Sequence, residues 1–139
     1  MQDVMIQMPD TLYSRLANAA QATRQPIEHI LLHALQVGSP PSWEEAPAMF
    51  QADLAALDRM DDDSLWRIAR SSRIGEDRTR YDELLDKNAN GTLTPDERIE
   101  LTELRTDADL FMLRKSYAVD LLRWRGHVIP PAQQLTPIP

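Results

Sequence analysis

The chain contains no cysteine, and this absence removes several classes of chemistry at once. Disulfide bonds, thiolate catalysis and cysteine-bound zinc are all excluded. Glycine is scarce as well, at four residues in 139, so a glycine-rich phosphate-binding loop is not expected. Aromatic residues make up only 6% of the chain, and any hydrophobic core must therefore rest mainly on leucine, isoleucine, alanine and methionine.

Long hydrophobic runs are missing too. The longest apolar stretch, ILLHAL at residues 30–35, is too short and too interrupted to cross a bilayer. The first ten residues, MQDVMIQMPD, have neither the basic start nor the apolar centre of a signal peptide. The formal net charge of −7 argues against a protein that coats nucleic acid or an acidic membrane through its overall field. We therefore expect a soluble, cytoplasmic globular protein.

The N-terminal residues predict a strand followed by two helices. Val4, Ile6 and Met8 are spaced two apart, which is typical of a short strand, and Pro9 ends it. Gly38 supplies a stop after the second helix. The two helices carry apolar residues at helical spacing: Leu12, Leu16, Ala19 and Ala20 in the first, and Ile27, Ile30, Leu31, Ala34 and Leu35 in the second.

Everything after the linker at residues 39–42 predicts helix. Ser42 and Glu45 have the spacing of a capping box, which predicts the start of a helix. The acidic run MDDDS is expected to end that helix. The last helix should run from Pro95 to about Arg125, roughly 45 Å at 1.5 Å per residue. Such a helix cannot bury its apolar stripe alone, so it must pack on the preceding helices or on a partner.

The sequence thus predicts a mainly α-helical protein in three segments. Residues 1–38 form a strand–helix–helix module, and residues 43–128 form an α-helical hairpin region with one long C-terminal helix. Residues 129–139 form an extended, proline-rich tail.

The stretch DKNANGTLTPDE, Asp86 to Glu97, matches the loop spacing of a calcium-binding EF-hand. An ordinary capped turn between two helices explains the same letters. Asn90-Gly91 favours a left-handed turn, and Thr94 with Glu97 has the spacing of a capping box. The places that an EF-hand uses are filled by Asp86, Asn88, Asn90, Gly91 and Glu97, of which only the first and last carry charge. We favour the capped turn and keep weak calcium binding as the alternative.

The stretch VMIQMPDTLYSRLANAAQATRQPIEHILLHAL resembles the ribbon–helix–helix module of small bacterial repressors and antitoxins. The resemblance implies a dimer in which two strands pair, outward strand residues read the DNA major groove and the start of the second helix holds a phosphate. By that resemblance the base-reading residues are Asp3, Met5 and Gln7, and the phosphate-binding residues are Gln25, Pro26 and Ile27. The region from LLDKNANGTLTPDERIELTEL to FMLRKSYAVDLLRWRGH is similar to the C-terminal half of a group of uncharacterised bacterial proteins.

The resemblance implies a non-enzymatic, DNA-binding transcriptional regulator or antitoxin without cofactors. Its expected partners are a second copy of the chain, a DNA operator, and a toxin or other protein bound by the helical region. Because the strand face has no Lys or Arg, a module that only dimerises is an equally good interpretation. A purely structural helical protein, or a weak calcium binder using Asp86–Glu97, is the alternative from another class.

Two further clusters are candidate sites. His29 and His33 lie four apart on one helix, a spacing that can hold a metal ion, but no Glu or Cys completes the set. We interpret them as half-exposed histidines beside an apolar stripe. Basic residues gather near the end of the last helix and either complement its C-terminus or bind an acidic partner. They are Arg114, Lys115, Arg123, Arg125 and His127.

Overall fold

The computed structural model describes residues 1–73, 76–131 and 134–135, and within them it contains helices and no strand. The helices are α1 Asp10–Thr23, α2 Ile27–Val37, α3 Ala48–Leu57, α4 Asp62–Ala69, α5 Glu76–Ala89 and α6 Pro95–Trp124. They fall into two compact units, residues 1–40 and residues 41–139, which are described separately below.

The first unit is a helical hairpin in which α1 packs against α2. The chain reverses at Arg24, which adopts a left-handed conformation with φ of 55°. The backbone N–H of Gln25 closes the turn by donating to the carbonyl of Ala20 at 3.0 Å. Ala20 is the single residue of α1 and α2 that is buried. The hairpin therefore has almost no core of its own.

The predicted N-terminal strand is absent, and with it the ribbon–helix–helix fold. Residues 1–9 have no regular secondary structure, and the side chains of Val4 and Ile6 are 81% and 66% exposed. A strand needs a neighbouring strand to satisfy its N–H and C=O groups. The described part of this chain offers no such neighbour, so the alternation of apolar residues is not enough. The prediction of a mainly α-helical protein holds, whereas the prediction of a strand was wrong.

Prolines set the starts of the first three helices. Pro9, Pro26 and Pro47 each occupy the position before the helix, and none of these ends has a side-chain cap. The predicted capping box of Ser42 and Glu45 is therefore wrong. The hydroxyl of Ser42 instead accepts the backbone N–H of Glu44 at 3.2 Å, within a turn that precedes α3. A proline has no N–H to lose at a helix start, which explains why it serves there.

The second unit is organised around α6, which spans 30 residues and contacts α3, α4 and α5. Its predicted length of about 45 Å is confirmed. The helix ends before Gly126, whose φ of 98° requires glycine or strain. The core joins the buried faces of α3, α4 and α6 through Leu54, Leu57, Leu65, Ala69, Tyr117, Ala118, Leu121 and Leu122.

The break between α3 and α4 follows the sequence prediction. Asp61 caps α4 by accepting the backbone N–H of Ser64 at 2.8 Å. Beyond α6, residues 128–131 have no regular structure, and Ile129 packs against the core. Part of the predicted tail, residues 132–133 and 136–139, lies outside the described residues.

Candidate interaction surfaces

The residues expected to read DNA lie in an exposed, unpaired segment. Asp3, Met5 and Gln7 are all exposed, and no second strand fixes which way they point. Gln25 and Pro26 belong instead to the connection between α1 and α2. The carbonyl of Pro26 accepts the backbone N–H of His29 at 3.0 Å, which is ordinary helix geometry. The arrangement of a paired ribbon over a phosphate-binding helix start is therefore not present.

Ile27, the last of those six residues, is half-buried at the first position of α2. His29 and His33 are both exposed on the same helix. They line a shallow depression together with Gln25, Leu32 and Gln36. Among the described residues, no group of three or more His, Asp or Glu side chains is placed to hold a metal ion.

The loop from Asp86 to Glu97 is a capped turn. The hydroxyl of Thr94 accepts the backbone N–H of Glu97, and the carboxylate of Glu97 accepts the backbone N–H of Thr94, both at 3.1 Å. Pro95 occupies the first helical position. Gly91 has a φ of 71°, a left-handed conformation that ends α5. The predicted turn and capping box are confirmed.

Glu97 is engaged further on its second carboxylate oxygen. That oxygen lies 2.5 Å from the ammonium of Lys87 and 3.7 Å from the guanidinium of Arg80. Hydrogen bonds from Lys87 and from the Thr94 backbone lower the pKa of Glu97 to about 2. Glu97 is the residue that would bind calcium through both carboxylate oxygens, and both oxygens already have partners. Its contacts with Lys87 and Arg80 join α5 to α6.

A bidentate ion pair extends this junction. The guanidinium of Arg80 on α5 donates to the two carboxylate oxygens of Glu100 on α6, at 2.8 and 2.9 Å. The Arg80 hydrogen bond lowers the pKa of Glu100. Two parallel N–H···O bonds fix orientation as well as distance. The ion pairs therefore join the exposed sides of α5 and α6, and each helix also buries a leucine, Leu84 on α5 and Leu101 on α6.

The basic cluster predicted from the sequence is divided among separate internal contacts. Arg125 donates to the carboxylate of Asp62 and to the carbonyl of Met60, both at 2.8 Å. The Nε2 atom of His127 lies 2.7 Å from the other oxygen of Asp62. The hydrogen bonds from Arg125 and His127 lower the pKa of Asp62. These two basic residues tie the end of α6 to the start of α4.

The remaining basic residues have other roles. Lys115 donates to the carbonyl of Ser71 at 2.9 Å, beyond the end of α4. Arg123 pairs at 3.6 Å with Asp120 on the same helix, and both side chains are largely exposed. Most of these basic residues therefore make contacts within the fold, and the interpretation that the cluster complements the C-terminal end of α6 remains a prediction.

Asp58 accepts hydrogen bonds from two aromatic side chains, and the sequence did not predict this contact. Its carboxylate accepts the hydroxyl of Tyr117 at 2.5 Å and the indole N–H of Trp43 at 3.1 Å. Burial and the Asp58 hydrogen bond raise the pKa of Tyr117. The three residues come from the segment before α3, from the end of α3 and from α6. No spacing along the sequence indicates such a contact, because it forms only when the helices pack.

One exposed face of α6 forms the floor of a groove, called the α6 groove below. It consists of two adjoining depressions of about 560 and 410 Å³ that share Met112 and Ser116. Ile129, Pro130, Pro131 and Leu135, which follow α6, form one wall, and Pro47 and Phe50 form another. Along the floor lie Asp109, Met112, Leu113, Lys115, Ser116, Val119, Asp120 and Arg123.

The first unit carries exposed apolar side chains as well. On α2, Leu32, Leu35 and Val37 are 57%, 63% and 74% exposed. On α1, Leu12 and Tyr13 are also exposed. These large apolar side chains occupy a hairpin whose own interior holds a single buried alanine.

None of the helices in the described residues has the length and apolar character needed to cross a membrane. Comparison with known proteins gives the chain no relatives. No protein-family model, curated protein or solved structure matches it. The resemblance to ribbon–helix–helix repressors is thus supported neither by a family match nor by the helices-only fold, and we correct it.

Proposed function

We propose that this chain is a non-enzymatic interaction protein that associates with a second copy of itself through its N-terminal hairpin. The second unit is then a stable helical body available for a further partner. The observation that carries the proposal is the missing core of residues 1–40, in which Ala20 is the one buried residue among those in α1 and α2.

A unit of this size rarely folds without help. Chains below about 40 residues usually need disulfides, metals or oligomerisation, because they bury too small a share of their surface. Disulfides are excluded here by composition. Association supplies the missing burial in the simplest way, since each copy offers the apolar surface that the other lacks.

The exposed leucines offer apolar area that association would bury. Leu32 and Leu35 are both more than half exposed, so burying each would gain about 1–2 kcal/mol. Four such side chains in a dimer give about 4–8 kcal/mol, and Leu12, Tyr13 and Val37 add to this before the cost of association is subtracted.

Charge favours a second copy as the occupant. Residues 1–40 contain two arginines and three carboxylates, so this unit has a formal charge of −1 in a chain of −7. The remaining −6 lies in the second unit. Two such hairpins therefore approach one another with little electrostatic repulsion.

The regulator and antitoxin roles remain predictions. They require DNA or a toxin as an additional partner, and no observed surface of the described residues favours one of these over the other. That the chain is not an enzyme also remains a prediction.

Sedimentation of the whole chain between about 1 and 100 μM tests the proposal. We expect the wild-type chain to form a dimer. Leu35→Glu should raise the dissociation constant of that dimer at least a hundredfold, because the substitution places two charges in the interface. Gln21→Glu is the matched control: it adds the same charge at an exposed position of α1 and should leave the dimer intact.

Two outcomes would contradict the proposal. One is a wild-type chain that stays monomeric at 100 μM while its hairpin helices are fully formed by circular dichroism. The other is an equal weakening by Leu35→Glu and Gln21→Glu, which would show that added charge matters and that the apolar surface does not.

A further inference from the structure

The two ends of the floor of the α6 groove carry opposite charges, whereas Lys115 and Asp120 between them contact Ser71 and Arg123 of the same chain. Asp109, Ser116 and Arg123 are seven residues apart, so they lie almost on one line along the helix, over about 21 Å. The acidic residue is at one end, the basic residue is at the other, and a small side chain stands midway. A partner that presents the same line in the opposite direction would match charge with charge at both ends.

The apolar residues of the floor repeat this symmetry. Leu113 and Val119 each lie three residues from Ser116, one on either side. Both are partly buried against the core of their own chain, which holds them in place. Met112 is 59% exposed and belongs to both depressions of the groove. A flexible methionine adapts to an opposing surface more readily than a branched side chain does.

We propose that the α6 groove is a second self-association surface, in which α6 of two copies pack antiparallel around a two-fold axis at Ser116. Asp109 of one copy then faces Arg123 of the other, and Leu113 faces Val119. A two-fold contact of this kind uses the same patch on both copies. The small serine at the axis permits a close approach of the helices.

The intrahelical partner of Arg123 does not prevent this contact. The Arg123–Asp120 pair spans 3.6 Å, and its side chains are 63% and 55% exposed. Surface pairs of this type contribute little. The guanidinium can therefore turn towards Asp109 of the second copy at small cost.

The inference does not depend on association through the N-terminal hairpin, and the test separates the two. All measurements use the full chain carrying Leu35→Glu, the substitution expected to abolish hairpin association. If Leu35→Glu has no effect on the hairpin, the proposed function fails while the α6 test remains readable, because it reports the position of single residues in α6.

The first arm of the test is a disulfide at the axis. The chain has no cysteine, so Ser116→Cys introduces its one thiol. Two such thiols meet at a two-fold axis, where Cα atoms within about 7 Å can be bridged. We expect a covalent dimer under mild oxidation. Asp107→Cys is the control, since residue 107 is exposed and lies nine residues away, on the opposite side of the helix.

The second arm exchanges the charges at the two ends. Asp109→Arg alone and Arg123→Asp alone should each weaken association about tenfold, because each places like charges opposite one another in two symmetry-related pairs. The double variant should return to within about threefold of the starting affinity. Equal cross-linking of Asp107→Cys and Ser116→Cys, or no recovery in the double variant, would overturn the inference and leave the groove to a different partner.

Discussion

Replacing Tyr117 by phenylalanine removes one hydroxyl from a ring that is only 6% exposed. That hydroxyl donates to Asp58 at 2.5 Å and also lies 3.1 Å from the carbonyl of Pro41, and the shorter bond, to a carboxylate, is the one whose loss should dominate. The ring remains to fill the core between α3 and α6, so no cavity is created. What is lost is an O–H···O⁻ bond of 2.5 Å that joins α6 to the end of α3.

The size of the effect follows from the state of the acceptor. A hydrogen bond to a charged group contributes about 1.5–3 kcal/mol, against about 0.5–1.5 kcal/mol for a neutral pair. Asp58 is an exposed residue and keeps its bond to the indole of Trp43, so water can replace the lost hydroxyl. We therefore expect a loss near the lower limit, about 1.5 kcal/mol. For a unit of roughly 100 residues, that corresponds to a decrease in Tm of roughly 6–12 °C.

Urea unfolding followed by tryptophan fluorescence measures this loss. Trp43, Trp66 and Trp124 all belong to the second unit, so the signal reports on that unit alone. Tyr81→Phe is the matched control, because Tyr81 is a half-buried tyrosine of α5 whose hydroxyl has no hydrogen bond within the described residues. The control should stay within about 0.3 kcal/mol of wild type.

A double-mutant cycle with Asp58→Asn completes the test. If Tyr117 and Asp58 stabilise the fold by bonding to each other, their effects will not add. The decrease in the free energy of unfolding in Tyr117→Phe/Asp58→Asn should then be smaller than the sum of the two single decreases by at least about 0.5 kcal/mol. A Tyr117→Phe chain as stable as wild type, or two losses that simply add, would refute the reasoning.

Two other predictions concern Glu97. Its pKa of about 2 is depressed below the ordinary 4.5, so the stability that its ionised form contributes is complete above about pH 4.5 and is lost as the pH falls towards 2. Urea unfolding at pH 7, 4.5 and 2.5 should show a smaller acid-dependent loss for Glu97→Gln than for wild type; equal losses would contradict the contact with Lys87. Millimolar Ca²⁺ should leave the Tm equal to that in chelator, whereas a saturable titration that vanishes in Asp86→Ala would establish a calcium site instead.

Three helix boundaries of the second unit could be predicted because their signals are local. Thr94 and Glu97 meet across three residues, and Asp61 reaches Ser64 across three. Gly126 ends α6 with a conformation that glycine adopts readily. Each of these contacts is made within one helical turn, so the sequence contains all of its participants.

The prediction of Ser42 as a cap failed although its signal was also local. Both Ser42 and Pro47 are able to begin a helix, and the sequence does not rank them. In the structure the chain forms a turn over residues 43–46, and α3 starts only after Pro47. The indole N–H of Trp43 donates to Asp58 and so joins that turn to the end of α3.

The sequence by itself determined where most helices lie, which faces are apolar and that the turn before α6 is capped. Only the tertiary structure decided the contacts between residues far apart in the chain. Asp62 meets Arg125 across 63 residues and Tyr117 meets Asp58 across 59, and nothing near either residue in sequence specifies its partner. The alternation of apolar residues at the N-terminus also could not decide the structure alone. A strand is stable only where a second strand satisfies its backbone N–H and C=O groups, so Val4 and Ile6 lie outside regular structure in a single chain.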